Sequence, residues 1–226
     1  MSGITAMNRF SDECKVIANE PMSRHTSWRA GGVARSYALP QTLSQLQQLM
    51  ASLPAQENIE WLGLGSNTLV RDGGYPGTIV ATQNVMNELR MLDEVTVLVG
   101  AGVADAKLAR FCKQHGLGGA EFFAGIPGLV GGALFMNAGA WGGDTWSQVV
   151  SVETMNRAGE IKQRMREEFD VSYRHVGNIN GEWFVSATMR FTPQGNDRTE
   201  AIDIKDLLAR RARSQPTGLA SCGSVF

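Results

Sequence analysis

Apolar positions recur along the chain at two distinct periods. Over 42–52, Leu43, Leu46, Leu49 and Met50 fall at helical spacing, which predicts an amphipathic helix. A second helix is expected over 104–115, where Leu108, Phe111 and Cys112 share a face and Gly116 provides the stop. A third is expected over 201–214, with Ile202, Leu207 and Leu208 directed inward. Its basic end, Arg210, Arg211 and Arg213, complements the helix dipole. Short apolar runs at 35–40, 60–64, 77–81, 95–100, 149–155, 161–165 and 183–191 read as strands. Asn156-Arg157-Ala158-Gly159 is a hairpin turn between two of them. Pro193-Gln194-Gly195-Asn196 is the best boundary signal, and 215–226 reads as a loop entering a strand. There is no internal repeat and no low-complexity tract.

Composition sharpens this picture at one point. Glycine accounts for 26 of the 226 residues, above the usual level of roughly 7%. Ten of those glycines lie within 116–143, interleaved with Phe122, Phe123, Ile126, Leu129, Val130, Leu134, Phe135, Met136 and Trp141. A flexible linker is polar, so this stretch reads as ordered backbone under close packing. Hydrophobic residues make up 43%, enough for a packed core.

Charge and chemistry exclude several classes. Lys+Arg is 21 and Asp+Glu is 22, a net charge of -1, which argues against a general grip on nucleic acid or an anionic membrane. Cys14, Cys112 and Cys222 are far apart and form no disulfide framework, and His25, His115 and His175 are scattered, so no metal site is expected. With no signal-peptide pattern and no apolar run near the ~20 residues of a membrane span, the expectation is a soluble cytoplasmic protein.

Two glycine-rich loops carry the candidate chemistry. The first, Gly63-Leu64-Gly65-Ser66-Asn67-Thr68-Leu69, follows a strand, and successive N–H groups in such a turn form an anion nest. It is not a dinucleotide fingerprint, because Thr68 stands where the last glycine of GxGxxG belongs; Gly100-Ala101-Gly102 fails likewise at Asp105. The second, Gly125-Ile126-Pro127-Gly128-Leu129-Val130-Gly131-Gly132, runs on to Asn137-Ala138-Gly139-Ala140. It is either a tight backbone crossing in a core or a cradle. As a cradle, its bare N–H groups hold a pyrophosphate while Ile126, Leu129 and Val130 wall an aromatic ring. Arg71 is the only cation adjoining either loop, so a phosphate held here relies on backbone dipoles.

Five motifs then appear in one order: 25–34 (HTSWRAGGVA), 62–69 (LGLGSNTL), 125–132 (GIPGLVGG) with 136–140 (MNAGA), 172–174 (SYR) and 223–226 (GSVF). Together they resemble the UDP-N-acetylenolpyruvoylglucosamine reductases, also called UDP-N-acetylmuramate dehydrogenases, of peptidoglycan synthesis. The resemblance implies an α+β architecture, a vanillyl-alcohol-oxidase-like FAD-binding fold. Its two α/β subdomains fall at 1–85 and 86–193, and the start of a third, substrate-binding domain at 194–226. It implies FAD as cofactor, NADPH as hydride donor and UDP-N-acetylglucosamine enolpyruvate as substrate, with no nucleic acid, membrane or protein partner.

Residue by residue, the resemblance assigns FAD binding to Leu64, Gly65, Ser66, Asn67, Thr68, Leu69, Gly125, Ile126, Pro127, Gly128, Val130, Gly131, Gly132, Asn137, Ala138 and Gly139. It makes Arg174 the stabiliser of the enolate left by hydride addition and Ser224 the proton donor. Tyr173, Arg210 and Arg211 fall to the substrate. Outside the family context, Arg174 reads as a surface charge, Ser224 as a turn serine, Arg210 and Arg211 as helix-end cations, and His25 as a packing residue. Family members continue for several dozen residues past the Gly-Ser-Val-Phe segment, to a C-terminal glutamate. The expectations are therefore a truncated copy of the reductase, an FAD-binding module impaired in turnover, or a flavin oxidoreductase acting on another substrate.

Overall fold

The computed structural model describes residues 14–194, 204–214 and 220. In chain order its elements are β1 (Lys15–Pro21), β2 (Val33–Leu39), α1 (Leu43–Ser52), β3 (Ile59–Leu62), β4 (Tyr75–Ala81), β5 (Leu89–Met91), β6 (Thr96–Gly100) and α2 (Asp105–Gln114). There follow β7 (Leu117–Gly118), α3 (Val130–Met136), β8 (Gly139–Ala140), β9 (Gly143–Asp144), β10 (Val149–Met155), β11 (Ile161–Met165), β12 (Val171–Ser172), β13 (His175–Val176), β14 (Trp183–Arg190), β15 (Thr192–Pro193) and α4 (Ile204–Ser214). None of the described helices is long and apolar enough to cross a membrane.

The first sheet has the order β1-β2-β4-β3, with β2, β4 and β3 parallel and β1 an antiparallel edge. β4 is buried without interruption from Gly77 to Ala81, as a parallel strand covered on both faces must be. One face packs Ala38, Ile59 and Val80 against Leu46, Leu49 and Met50 of α1. The other packs Tyr37, Leu62 and Ile79 against Met22 and Val70. Thr42 caps α1, its side chain accepting from the Gln45 N–H at 3.1 Å.

The second sheet, β11-β10-β14-β6-β5, is antiparallel throughout. The main core lies between it, α2, α3 and the aromatic turn at Glu121–Gly125. Trp146 is fully buried there, donating from Nε1 to the Leu134 carbonyl at 2.7 Å and packing on Phe169 and Phe184.

The predicted hairpin turn does more than reverse the chain. Gly159 (φ +78°) offers its carbonyl to Gln47 Nε2 at 3.0 Å, and Arg157 donates to the carbonyls of Pro54 and Glu57, both at 2.9 Å. Met155 and Val185 of the second sheet also join the α1 core. The β10–β11 turn thus clasps one sheet to the other and sets how the two face each other.

Several elements differ from the sequence expectation. The strand expected at 60–64 stops at Leu62, because the chain turns at Gly63 and leaves Leu64 exposed. α3 was read only as ordered backbone; its two internal glycines each oppose a helix by about 1 kcal/mol. Tertiary contact overrides that preference, since a Cβ on Gly131 would stand 3.1 Å from the Ala101 Cβ. β1 shows no alternation because it is a largely exposed edge, held by its ladder to β2. Leu207 is buried but Leu208 is 42% exposed, correcting the expectation that both point inward; neighbours on a helix lie about 100° apart. Ile202 and the boundary from Gly195 onward lie outside the described residues.

Just ahead of β14, Glu182 is buried and accepts from Thr154 Oγ1 at 2.7 Å, with Lys162 Nζ at 2.5 Å and the buried Arg164 at 3.2 Å. Burial pushes its carboxyl up, but the hydrogen bonds from Lys162 and Thr154 and the charges of Lys162 and Arg164 outweigh this, and the net displacement is downward. The unfolded chain therefore takes up the proton first as pH falls. The stabilisation is complete above the ordinary glutamate range and is lost in acid. Glu182→Gln is expected to cost about 1.5–3 kcal/mol at pH 7 by removing the one buried carboxylate of a cluster in which Arg164 keeps only the more exposed Glu168 and the Asn178 carbonyl. It should also flatten the acid limb of stability measured by urea unfolding; an unchanged acid limb would contradict this account.

Candidate active site

β3 delivers the chain to Gly63 at the carboxyl end of the parallel strands, where open sheets of this type bind ligands. The turn that follows is held by backbone packing. Gly65 has φ +63°, and a Cβ there would stand 2.0 Å from the His25 carbonyl oxygen. The Ser27 N–H donates to the Gly65 carbonyl at 2.9 Å. His25 is itself fixed, pairing with Glu20 Oε1 at 2.9 Å and stacking on Tyr37 at 4.2 Å. The 25–34 motif is therefore a buttress behind the first loop, and His25 packs as expected. Among the described residues, no amide from Leu64 to Leu69 donates to a backbone carbonyl.

The second loop is different. The amides of Val130 and Gly131 donate to the Val103 and Ala101 carbonyls, both at 2.9 Å, and Gly132 donates to Leu129. Bare N–H groups were expected along this loop; that expectation is corrected, because from Val130 the chain is the helix α3, docked on the segment after β6. Among the described residues, Gly128 and Leu129 are left without a backbone acceptor in this loop. Val130 is fully buried in the main core and does not wall the cavity.

Between the loops lies a cavity of about 850 Å³. Leu64, Gly65, Ser66, Asn67, Thr68 and Leu69 line it from one side, and Gly125, Ile126, Pro127, Gly128, Gly131, Gly132, Ala138 and Gly139 from the other. Arg174 and Arg211 also line it. The sequence offered Arg71 as the only neighbouring cation; folding adds these two from distant segments. Asp105, which no sequence motif singled out, lines it as well, fully buried and, among the described residues, with both carboxyl oxygens unpartnered. Its one sequence signal was its place at the end of the failed glycine fingerprint.

A second cleft of about 580 Å³ adjoins the first, and Arg174 and Gly139 line both. Asn137 and Tyr173 face this cleft. Asn137 ends α3 in the left-handed region (φ 42°, ψ 55°). Its Nδ2 donates to the Ser172 carbonyl at 3.2 Å and its Oδ1 accepts from the Trp146 N–H at 3.0 Å. It thereby anchors the β12–β13 hairpin whose turn is Tyr173-Arg174. Arg174 sits at φ +55°, a left-handed conformation that costs a non-glycine residue roughly 1–2 kcal/mol. Tyr173 is 80% exposed. Ser224 lies outside the described residues, as does the side chain of Arg210.

These features fit a dinucleotide: unpaired amides for a diphosphate, a long cavity of ligand size, and arginines at its margin. Residues 34–163 match the FAD binding domain family. The chain is 46% identical over its full length to UDP-N-acetylenolpyruvoylglucosamine reductase of Legionella pneumophila (strain Lens), covering 73% of that protein. It is 51% identical over 207 residues to the reductase of Alkalilimnicola ehrlichii, covering 92% of this chain and 69% of the relative. The chain belongs to the UDP-N-acetylenolpyruvoylglucosamine reductase family.

Its fold agrees with that membership. The crystal structure of the reductase from Thermus caldophilus superposes with a TM-score of 0.70 at 25% identity, over 94% of this chain and 74% of that one. Cholesterol oxidase from B. sterolicum superposes at 0.57 with 16% identity, over 85% and 40%, which shows the shared vanillyl-alcohol-oxidase-like fold alone. The chain is thus an α+β member of an oxidoreductase family whose cofactor is FAD.

The geometry separates holding the cofactor from aiming Arg174. Asn137→Gly keeps the left-handed backbone open while deleting both side-chain hydrogen bonds. It is expected to lower substrate-dependent turnover at least tenfold while FAD affinity, followed by flavin fluorescence, stays within threefold. A loss of FAD binding with turnover per bound flavin intact would reverse the assignment.

Proposed function

We propose that the chain reduces the enolpyruvyl ether of UDP-N-acetylglucosamine to UDP-N-acetylmuramate, using NADPH, in cytoplasmic synthesis of peptidoglycan precursors that serves cell shape and division. The observation that carries this reading is Arg174, a cation at the one margin shared by the flavin-sized cavity and the neighbouring polar cleft. In this reading 1–85 and 86–193 are the FAD-binding subdomains and 194–226 begins the substrate-binding domain.

The first loop's amides, Leu64 to Leu69, and those of Gly128 and Leu129 hold the cofactor's diphosphate, and Ala138 and Gly139 border it. When bound, FAD supplies the two-electron chemistry that carries a hydride from NADPH to the substrate double bond. Hydride addition at one alkene carbon leaves negative charge on its neighbour, shared with the adjoining carboxylate. Arg174 neutralises that charge; its guanidinium stays protonated and its planar fork matches a carboxylate. The hairpin turn keeps the Arg174 backbone at the margin of both cavities. Ser224 delivers the proton that completes the lactyl ether, a role resting on the resemblance of the 223–226 motif. A hydroxyl is a weak acid, so its neighbours must stabilise the alkoxide formed. Tyr173 and Arg211, with Arg210, are assigned to the nucleotide substrate.

The test is substrate-dependent NADPH oxidation by the flavin-loaded protein. Arg174→Ala is expected to lower kcat by about 10²–10³ with the flavin spectrum retained. Ser224→Ala should lower it by about 10²–10⁴. Bound flavin with no turnover in the parent chain would assign an FAD-binding module instead, and unimpaired turnover in Arg174→Ala would remove the proposed role of that residue.

A further inference from the structure

Asp105 is the first residue of α2, and its N–H is held by the Gly128 carbonyl at 3.1 Å. That bond ties it to the second loop, while its side chain reaches toward the first. A Cβ on Gly128 would stand 3.1 Å from Asp105 Oδ2 and 3.6 Å from Ser66 Oγ. The carboxyl therefore sits where the two loops converge, on the wall of the larger cavity. It is fully buried, and among the described residues neither oxygen has a hydrogen-bond partner. A buried polar group without a partner is expensive, and native structures seldom keep one without a use.

We infer that Asp105 is a cofactor-facing hydrogen-bond donor: as a carboxylic acid, it donates its proton to a diphosphate oxygen of the bound flavin nucleotide. The inference rests on the cavity being the flavin site. Only the acid form suits that place, because a carboxylate against a diphosphate sets like charges together out of water. Burial pushes the Asp105 carboxyl well above the usual range, and no charged group among the described residues contributes to the displacement. The charged residues around the cavity are Glu60 from β3, Arg71 after the first loop, Arg174 from the β12–β13 hairpin and Arg211 from α4; the second loop supplies none. On its own helix, Lys107 follows two residues later, pointing away from the core. The O–H thus completes a donor set otherwise made of main-chain amides, and it makes cofactor affinity sensitive to pH. As pH rises, the free protein loses the Asp105 proton that the complex requires, so binding weakens.

The experiment is titration of the apoprotein with FAD from pH 6 to pH 9, below ionisation of the flavin ring, for the parent chain, Asp105→Asn and Asp105→Ala. Circular dichroism checks that each is folded. The parent's dissociation constant should rise at least tenfold across the range. Asp105→Asn, whose amide still donates, should bind within threefold of the parent at pH 6 and show no such rise. Asp105→Ala should be about tenfold weaker than the parent at pH 6 and equally flat. In the parent complex, a phosphorus resonance of bound FAD should differ from its position in Asp105→Ala. A flat parent profile, a pH dependence that persists in Asp105→Asn, tighter binding by Asp105→Asn at pH 6, or identical phosphorus spectra would each overturn the inference. Failure of the folded parent to bind FAD at pH 6 would instead remove the flavin reading beneath it.

Discussion

The site depends on one backbone contact: the Gly65 turn lies directly against the carbonyl of His25. There is no room for a side chain between them, and the Ser27 N–H closes the contact by donating to Gly65. Because the loop is braced from behind by main chain and by the His25–Tyr37 stack, its own amides are not needed for internal hydrogen bonds. The residues that carry them line the cavity. A loop braced in this way is preorganised by packing, and an anion held by main-chain amides requires few cations.

The second constraint is the clasp between the sheets. A cavity between two loops holds a ligand only if the loops keep a set separation. Here the β10–β11 turn hydrogen-bonds to Gln47 in the middle of α1 and to the loop after the helix, and α1 shares its core with both sheets. A further level of positioning brings Arg174 to the cavity. Asn137 reaches from the end of α3 to the β12–β13 hairpin, so the helix that follows the second loop also fixes the turn carrying the guanidinium. Cofactor loop and charged turn are thus mechanically one unit, which is a physical reason for Asn137 to lie in the middle of a glycine-rich motif without facing the larger cavity.

Much of this was legible in residue order. Helical spacing located α1 and α2, apolar runs located the long strands, and Gly159 and Gly116 marked turns that adopt positive φ. The glycine-rich stretch 116–143 was recognisable as ordered backbone because large apolar residues interrupt the glycine. Less was legible where local preference and tertiary contact disagree. Two glycines in VGGALFM argue against a helix, yet α3 forms, with Gly131 packed closely against Ala101. Val130 was assigned to the cavity wall from its place in a motif, but the helix turns it into the core.

By itself, then, the order of residues determined the periodic elements, the place of the two glycine-rich loops and, through five motifs, the family. Those properties are local, set by side-chain spacing and backbone freedom over a few residues. Only the tertiary structure decided which amides stay unpaired, that Arg174 and Arg211 join the cavity, and that Asp105 is sealed between the loops without a partner. Burial and pairing are properties of segments far apart in sequence, and they acquire values only when packing brings those segments together.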